Sequence, residues 1–245
     1  MNMIGVRSNN GKGMTIRNLI SGVKHRLTQF SKERSSRADI ERYIRSSGGA
    51  LRLNLGSQSN RPRGWLNVDI NPGTQGVYLD ATNMSAIPDG SFDAVLCEHM
   101  IEHVSRSDGM AVMRSIHRVL KPGGVARFVT PRLDRLAQMI LNQLEASDRE
   151  IELFAGEFIN SNIGKEYPDF SRVDYINIMF RQWSHQYLYT REDLTEKLQS
   201  VGFPYVVETI PSAIDNNVFE AAQGHGRLLG HELNDLNAFA LEVTK

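Results

Sequence analysis

The chain has 245 residues, of which 40% are hydrophobic and 23% are charged, values typical of a globular domain with a sizeable core. Its 28 basic and 28 acidic side chains cancel, so the net charge indicates no particular class of partner. The single cysteine, Cys97, excludes an internal disulfide and favours a reducing, cytoplasmic compartment. Neither an apolar run of membrane-spanning length nor a signal-peptide pattern is visible.

The charge is distributed unevenly along the chain. Residues 1–50 carry ten basic and three acidic side chains, which leaves 18 and 25 for the rest. Apolar residues at helical spacing predict one amphipathic helix over 16–30 and a second over about 36–46. We therefore interpret residues 1–48 as a basic helical extension and residues 49–245 as the main domain.

Three roles for the basic extension stay open. It packs over the ligand cleft or at a homodimer contact, it lies on an anionic membrane surface, or it serves as a targeting peptide. Nucleic-acid binding is not favoured, because the basic stretch lacks interleaved aromatic residues and the main domain is acidic.

Short apolar stretches and amphipathic helical patterns alternate from residue 51 onward. Helices are predicted over about 107–120 and 133–144 and between Thr190 and Gly202. Alternating β and α elements predict an α/β fold with a parallel sheet covered on both faces. The predicted strands cover residues 51–55, 65–70, 77–79, 92–97, 125–130, 205–210 and 238–243.

Residues 150–189 form a less regular segment that is rich in aromatic side chains. We interpret it as a helical insert that covers the substrate, because aromatic rings stack on sugar or ring faces. The alternative is an insert with a small core of its own, and the two readings are compatible. The second half of the segment holds seven of the chain's nineteen aromatic residues: Tyr167, Phe170, Tyr175, Phe180, Trp183, Tyr187 and Tyr189.

The loop after the first predicted strand has the layout of a nucleotide-binding loop with two departures. Gly56 follows that strand and Asp69 ends the second, where ligands bind in open parallel sheets. A dinucleotide loop carries a second glycine where this chain has Gln58, and its acidic residue comes about 20 residues on, after a full helix. Asp69 follows Gly56 by only 13 residues. The loop therefore suits a nucleoside without phosphates, such as S-adenosylmethionine.

Three longer stretches carry a resemblance to a known family. The stretches "LNLGS…GWLNVDI", "SFDAVLCEHMIEHV" and "RVLKPGGVARFVTP" resemble class I S-adenosylmethionine-dependent methyltransferases, closest to a type 11-like bacterial branch. "WSHQYLYTREDLTEKLQSVGF" is similar to that branch's tail. The resemblance covers 51–131 and, less closely, 183–203. It implies a Rossmann-like, doubly wound, mostly parallel seven-stranded sheet with an antiparallel last strand, and S-adenosylmethionine as cofactor.

The resemblance also implies which residues contact the cofactor. Gln58 either reaches the methionine carboxylate or marks weakened cofactor binding, and Asp69 and Asp80 have the alternative role of capping strand ends. The implied contacts are Leu55, Gly56 and Ser57 with the methionine portion, Asp69 with the ribose, Ile70 with the adenine ring, Asp80 and Ala81 with its amino group, and Cys97 and Glu98 below the sulfonium.

A histidine cluster follows the fourth predicted strand. His99, Glu102 and His103 spell the H-x-x-E-H pattern of some zinc peptidases, which need a further ligand and a different architecture. We expect no catalytic metal and interpret Glu102 and His103 as a hydrogen-bonded packing pair. If the acceptor is a hydroxyl, His99 and His185 are candidate catalytic bases, with purely structural roles as the alternative for each.

The sequence thus predicts S-adenosylmethionine-dependent methyl transfer to a small-molecule acceptor, with a sugar or glycan hydroxyl as the favoured acceptor. Two alternatives stay open. One is a non-catalytic, methyltransferase-like binding or scaffold protein, suggested by Gln58 and by the lack of a convincing acid–base pair. The other is a zinc hydrolase.

Overall fold

The computed structural model describes residues 34–46, 48–74, 76–141, 147–159, 170–213, 217–220, 222 and 224–245. The predicted helix over 16–30 lies outside these residues. The first described element is α1, residues 34–46, which begins two residues before the predicted 36. It packs on the sheet through the buried Ile40 and through Tyr43, whose ring stacks on Phe92 at 6.4 Å.

Seven strands form one sheet in the order β3-β2-β1-β4-β5-β7-β6. Strand β7 is antiparallel to β5 and β6, and the other neighbours are parallel. The predicted Rossmann-like, mostly parallel sheet with an antiparallel last strand is therefore confirmed. The strands are β1 (Arg52–Leu55), β2 (Leu66–Asp69), β3 (Val77–Tyr78), β4 (Phe92–Glu98), β5 (Leu120–Pro131), β6 (Tyr205–Thr209) and β7 (Ala238–Thr244).

The described residues form seven further helices. Short hydroxyl side chains start three of them: Ser105 accepts the backbone N–H of Asp108, Ser171 that of Asp174 and Thr190 that of Asp193. The sequence pattern did not predict α7 and α8, which are too short and glycine-interrupted to show a helical period. The helices are α2 (Arg106–Val119), α3 (Leu133–Ile140), α4 (Ser147–Ile159), α5 (Arg172–Arg181), α6 (Arg191–Ser200), α7 (His225–Leu229) and α8 (His231–Asn237).

Strand β5 begins five residues earlier than predicted. Leu120 already pairs with Phe92, and the register shifts before Val125 pairs with Ala94. The intervening Lys-Pro-Gly-Gly bulges out, with Gly123 at φ +77°. Proline and glycine end α2 as expected, but a strand with a bulge resumes at once because its pairing partner is in place.

Among the described residues, the buried apolar side chains form a main core, a second, smaller core and two minor clusters. The main core lies between the sheet and α1, α2 and α6. In the second, Arg135 and the buried Glu150 form an ion pair, and Tyr175 donates a hydrogen bond to Glu150 at 2.6 Å. The insert therefore shares this core with α3 and α8. The buried members of the core are Leu136, Met139, Phe154, Tyr175, Ile178, Met179, Leu188 and Leu233.

Across the described part of the chain, no helix combines the length and the apolar character needed to cross a membrane.

Candidate active site

The register of the central strands brings the carboxyl ends of β1, β2 and β4 together. Leu55 pairs with Val68 on one side and with Cys97 on the other, so Gly56, Asp69 and Glu98 leave the sheet next to one another. This is the crevice where strand order reverses in an open parallel sheet. A cavity of about 230 Å³ opens there. It is lined by Asn54, Gly56, Ser57, Gln58, Ser59, Asn60, Glu98, His99, Glu102, His103, Pro131, Phe154, Met179, Trp183, His185, Gly224, Leu228 and Asn237.

Gly56 turns the chain out of β1. Its φ of +68° is in the left-handed region, and a Cβ would lie 2.6 Å from Met100 Cγ. Glycine is required by conformation and by space. The next residue, Ser57, lines the cavity and is 2% exposed, and its hydroxyl has no hydrogen-bond partner among the described residues. A buried, unpaired hydroxyl costs about 1–3 kcal/mol, so this atom fits a site that a polar ligand completes.

Gln58 keeps the backbone shape of the glycine it replaces in the nucleotide-loop pattern, with φ at +40°. Its N–H donates to Asp69 Oδ2 at 3.0 Å, and its carbonyl accepts from Arg61 Nε at 3.0 Å. The other oxygen of Asp69 accepts the N–H of Asn71 at 2.7 Å. Asp69 thus ties the loops after β1 and β2 together, and it lies behind the cavity lining.

Five other predicted cofactor contacts do not line the cavity. Leu55 and Cys97 are fully buried in the main core, where burial and then the charge of Glu102 raise the pKa of the Cys97 thiol well above its usual value. Ile70 is 55% exposed. Asp80 accepts the N–H and the hydroxyl of Thr82 and faces a second cavity of about 260 Å³ beside α1. The fifth is Ala81. The cofactor roles of all these residues stay predictions.

Glu98 joins the loop after β1 to the C-terminal segment. Its Oε2 accepts hydrogen bonds from Asn60 Nδ2 at 3.2 Å and from the N–H of Gly224 at 2.9 Å. A Cβ on Gly224 would lie 2.2 Å from Asn60 Cγ, so only glycine allows this approach. The sequence analysis did not predict that the segment around Gly224 lines the cavity. The signal in the sequence was the cluster of glycines around 224–230.

His99 is held between two polar side chains. Its Nδ1 lies 3.1 Å from Glu102 Oε1 and its Nε2 lies 3.4 Å from Asn234 Oδ1. Burial works to lower the pKa of His99, but the hydrogen bond and charge of Glu102 raise it above its usual value. Burial works to raise the pKa of the Glu102 carboxyl, and His99 and then His103 hold it below its usual value. The two side chains are thus coupled by a partly buried hydrogen bond.

His185 has a different environment. Its Nδ1 lies 2.6 Å from the carbonyl oxygen of Met179, which can only accept, so Nδ1 carries the proton and Nε2 has the lone pair. Burial lowers the pKa of His185 more than this hydrogen bond and Glu102 raise it, which favours the neutral ring. The His103 ring lies 4.9 Å away, edge to face.

One of the seven predicted cover aromatics lines the cavity. Trp183 does so together with Phe154, 6.4 Å away, and His185, 5.6 Å away. Trp183 and Ser184 both have positive φ, at 55° and 64°, a strained turn of the kind found at functional sites. Tyr167 lies outside the described residues, and the others pack in the cores or at the surface.

The strand order, the antiparallel β7 and the crevice beyond β1 and β4 define the class I methyltransferase fold. A protein-family model described as a methyltransferase domain, of type 11, matches residues 58–128. The match covers 71 of the 245 residues and identifies residues 58–128 as a methyltransferase domain. The matched span includes Gln58, Asp69 and Glu98 but ends before the insert and His185.

Solved structures with low sequence identity also resemble the chain. A methyltransferase from Archaeoglobus fulgidus is 18% identical, with 87% of this chain and 94% of that chain covered and a TM-score of 0.45. One from Mesorhizobium loti is 14% identical, with 85% and 96% covered and a TM-score of 0.44. A Haemonchus contortus phosphoethanolamine N-methyltransferase, bound to phosphomonomethylethanolamine and S-adenosylhomocysteine, is 16% identical, with 86% and 53% covered and a TM-score of 0.41. Comparison with curated protein sequences gives no match.

Proposed function

We propose that this enzyme transfers a methyl group from S-adenosylmethionine to a hydroxyl of a small sugar or glycan, with His185 as the proton acceptor. The observation that carries the proposal is the tautomer of His185. Its Nδ1 proton is committed to the Met179 carbonyl, so its other nitrogen offers a lone pair in a cavity that the cofactor loop also lines.

The cofactor end of the cavity fits the methionine portion of S-adenosylmethionine. Gly56 lets the backbone approach a ligand closely, and the buried hydroxyl of Ser57 has a hydrogen bond to offer. Glu98 closes this end below the loop. When bound, the cofactor supplies an electrophilic methyl group, because its carbon–sulfur bond breaks with the electron pair left on sulfur. Asp69 would support the ribose from behind Gln58.

The acceptor end combines an aromatic wall with polar groups. Phe154 and Trp183 offer ring faces to the apolar side of a sugar, while His103 and His185 offer groups that orient hydroxyls. As the acceptor oxygen bonds to the methyl carbon, the proton that it loses passes to His185. His99 is a positioning residue: it pairs with Glu102 and so holds the floor of this end.

The test is a transfer assay with isotopically labelled methyl donor and a panel of sugars, glycans, amines and thiols. His185→Gln is expected to lower kcat by about 10²–10⁴-fold, the usual contribution of a general base, with cofactor affinity unchanged. His117→Gln is the matched control, because His117 packs against Phe203 on the far side of the domain.

Two results would contradict the proposal. Cofactor binding without transfer to any acceptor would favour the scaffold alternative. Transfer by His185→Gln at the rate of the natural enzyme would remove His185 as the base. A cytoplasmic location, membrane contact through the basic helix predicted over 16–30 and a homodimer stay predictions, as does the division at residue 48.

A further inference from the structure

We infer that Glu102, His103 and His185 form a binding site for one divalent transition-metal ion of the zinc type. One ligand atom from each lies within 4.8 Å of the other two. A metal ion placed midway between three such atoms therefore lies no farther than about 2.8 Å from each of them. Zinc takes imidazole nitrogen and carboxylate oxygen at about 2.0–2.2 Å, so small side-chain rotations complete the site.

The ligand types also agree with this metal class. Two imidazoles and one carboxylate suit Zn²⁺, Co²⁺ or Mn²⁺ better than Mg²⁺ or Ca²⁺, which prefer oxygen alone. Three protein ligands leave coordination positions open, as catalytic zinc sites do. All three side chains line the main cavity, so the open positions are accessible to an acceptor.

The ligands are oriented by partners of the kind that metal sites use. His185 donates Nδ1–H to the Met179 carbonyl, which leaves Nε2 for a cation. Glu102 accepts a hydrogen bond from Thr130 Oγ1 at 3.0 Å, and His99 holds its other oxygen. Each carboxylate oxygen has a second lone pair, so these contacts leave room for a metal bond.

The sequence alone points to a different set of ligands. The H-x-x-E-H spacing groups His99 with Glu102 and His103, but the fold engages His99 with Glu102 and Asn234. The third ligand is His185, which lies near the end of the insert and is far from the motif in the chain. The expectation of no metal followed from the missing further ligand, and the tertiary structure provides a candidate for it.

The use of the metal, though not its binding, rests on the hydroxyl acceptor of the proposed function and replaces its base, because His185 can accept the proton only in the metal-free enzyme. A cation held beside the acceptor hydroxyl supplies a Lewis acid that eases loss of its proton. Because the cation engages the lone pair of His185, in the loaded enzyme that proton passes to solvent instead. Protons compete for the same lone pairs, so metal affinity falls as the pH is lowered.

The experiment is calorimetric titration of the chelator-stripped full chain with Zn²⁺, and with Co²⁺ to record its visible absorption. We expect one equivalent to bind. His185→Gln and His103→Gln should each weaken binding by more than about 100-fold, because even the outer-shell partners of metal ligands contribute 10–100-fold. His117→Gln should bind like the natural chain. Circular dichroism confirms that each variant is folded.

Absence of stoichiometric binding, or equal binding by His185→Gln and His103→Gln, would overturn the inference. Methyl transfer measured with and without chelator separates it from the proposed function. Metal binding without methyl transfer supports the metal site and contradicts the proposed function. Methyl transfer by a protein that binds no cation supports the proposed function and contradicts the metal site.

Discussion

The two ends of the cavity beyond β1 and β4 are built in different ways. The proposed cofactor end, Gly56–Gln58 with Asp69 behind it, is held by two backbone N–H groups: that of Ser57 donates to the Val68 carbonyl and that of Gln58 donates to the Asp69 carboxylate. The acceptor end, formed by Phe154, Met179, Trp183 and His185, is held by side-chain packing of helices from the insert. The first depends on local backbone shape and the second on a separate core.

This difference explains why the unusual Gln58 does not argue against cofactor binding. The loop needs a left-handed residue whose N–H reaches Asp69, and Gln58 provides both. At the acceptor end, chemistry lies in side chains whose positions depend on the second core. We therefore expect the acceptor end to be damaged by core substitutions that leave cofactor binding intact.

The largest expected effect is on the second core. Glu150→Gln leaves Arg135 without its buried ionic partner and should lower the free energy of unfolding by about 3–5 kcal/mol. Urea titration measures this, and calorimetry should show unchanged S-adenosylmethionine affinity. Glu152→Gln, on the same helix but 72% exposed, is the control. A parallel fall in cofactor affinity would show that the two ends are not independent.

A smaller effect is expected at the cofactor end. Asp69→Ala removes the acceptor of the Gln58 and Asn71 N–H groups, which should weaken S-adenosylmethionine binding by about 1–3 kcal/mol. The matched control is Asp93→Ala, since Asp93 accepts the N–H of Leu51 at the opposite end of the sheet. Equal cofactor affinity in the two variants would mean that Asp69 has no part in the site.

The side chain of Gln58 is expected to matter less than its backbone. Gln58→Gly relieves a left-handed conformation and should change the free energy of unfolding by no more than about 1 kcal/mol, with cofactor affinity retained. Thermal unfolding and calorimetry measure both. Gly56→Ala is the opposite case, because its Cβ would overlap Met100. A tenfold loss of affinity in Gln58→Gly would show that its amide binds the cofactor.

The smallest effect concerns pH. Burial works to raise the pKa of Asp93, but hydrogen bonds from Lys121 and Leu51 hold it below its usual value. The stabilisation is therefore complete above the unfolded pKa of about 3.9 and is lost as the pH falls through the lower folded value. Asp93→Asn should be less stable by at most about 1 kcal/mol at pH 7, because the Lys121 pair is over a third exposed. The difference should persist at pH 5 and narrow below about pH 4 in urea titrations. A constant difference at all pH values would contradict the charged role.

Much of the fold could be predicted because its signals are local. Each strand is a short apolar run, Ser105 and Thr190 begin their helices, and Gly56 marks the turn after β1. The boundaries that were wrong depended on pairing. Strand β5 resumes at Leu120 because Phe92 lies beside it, which no local pattern reveals.

The sequence by itself determined the sheet and the turn after β1, because strand periodicity and turn chemistry act within a few residues. Only the tertiary structure decided the acceptor end. It engaged His99 with Glu102 and Asn234, brought His185 to Glu102 and His103, and closed the cavity with Gly224. Those contacts join distant segments through buried packing and hydrogen bonds, so the spacing of residues along the chain does not predict them.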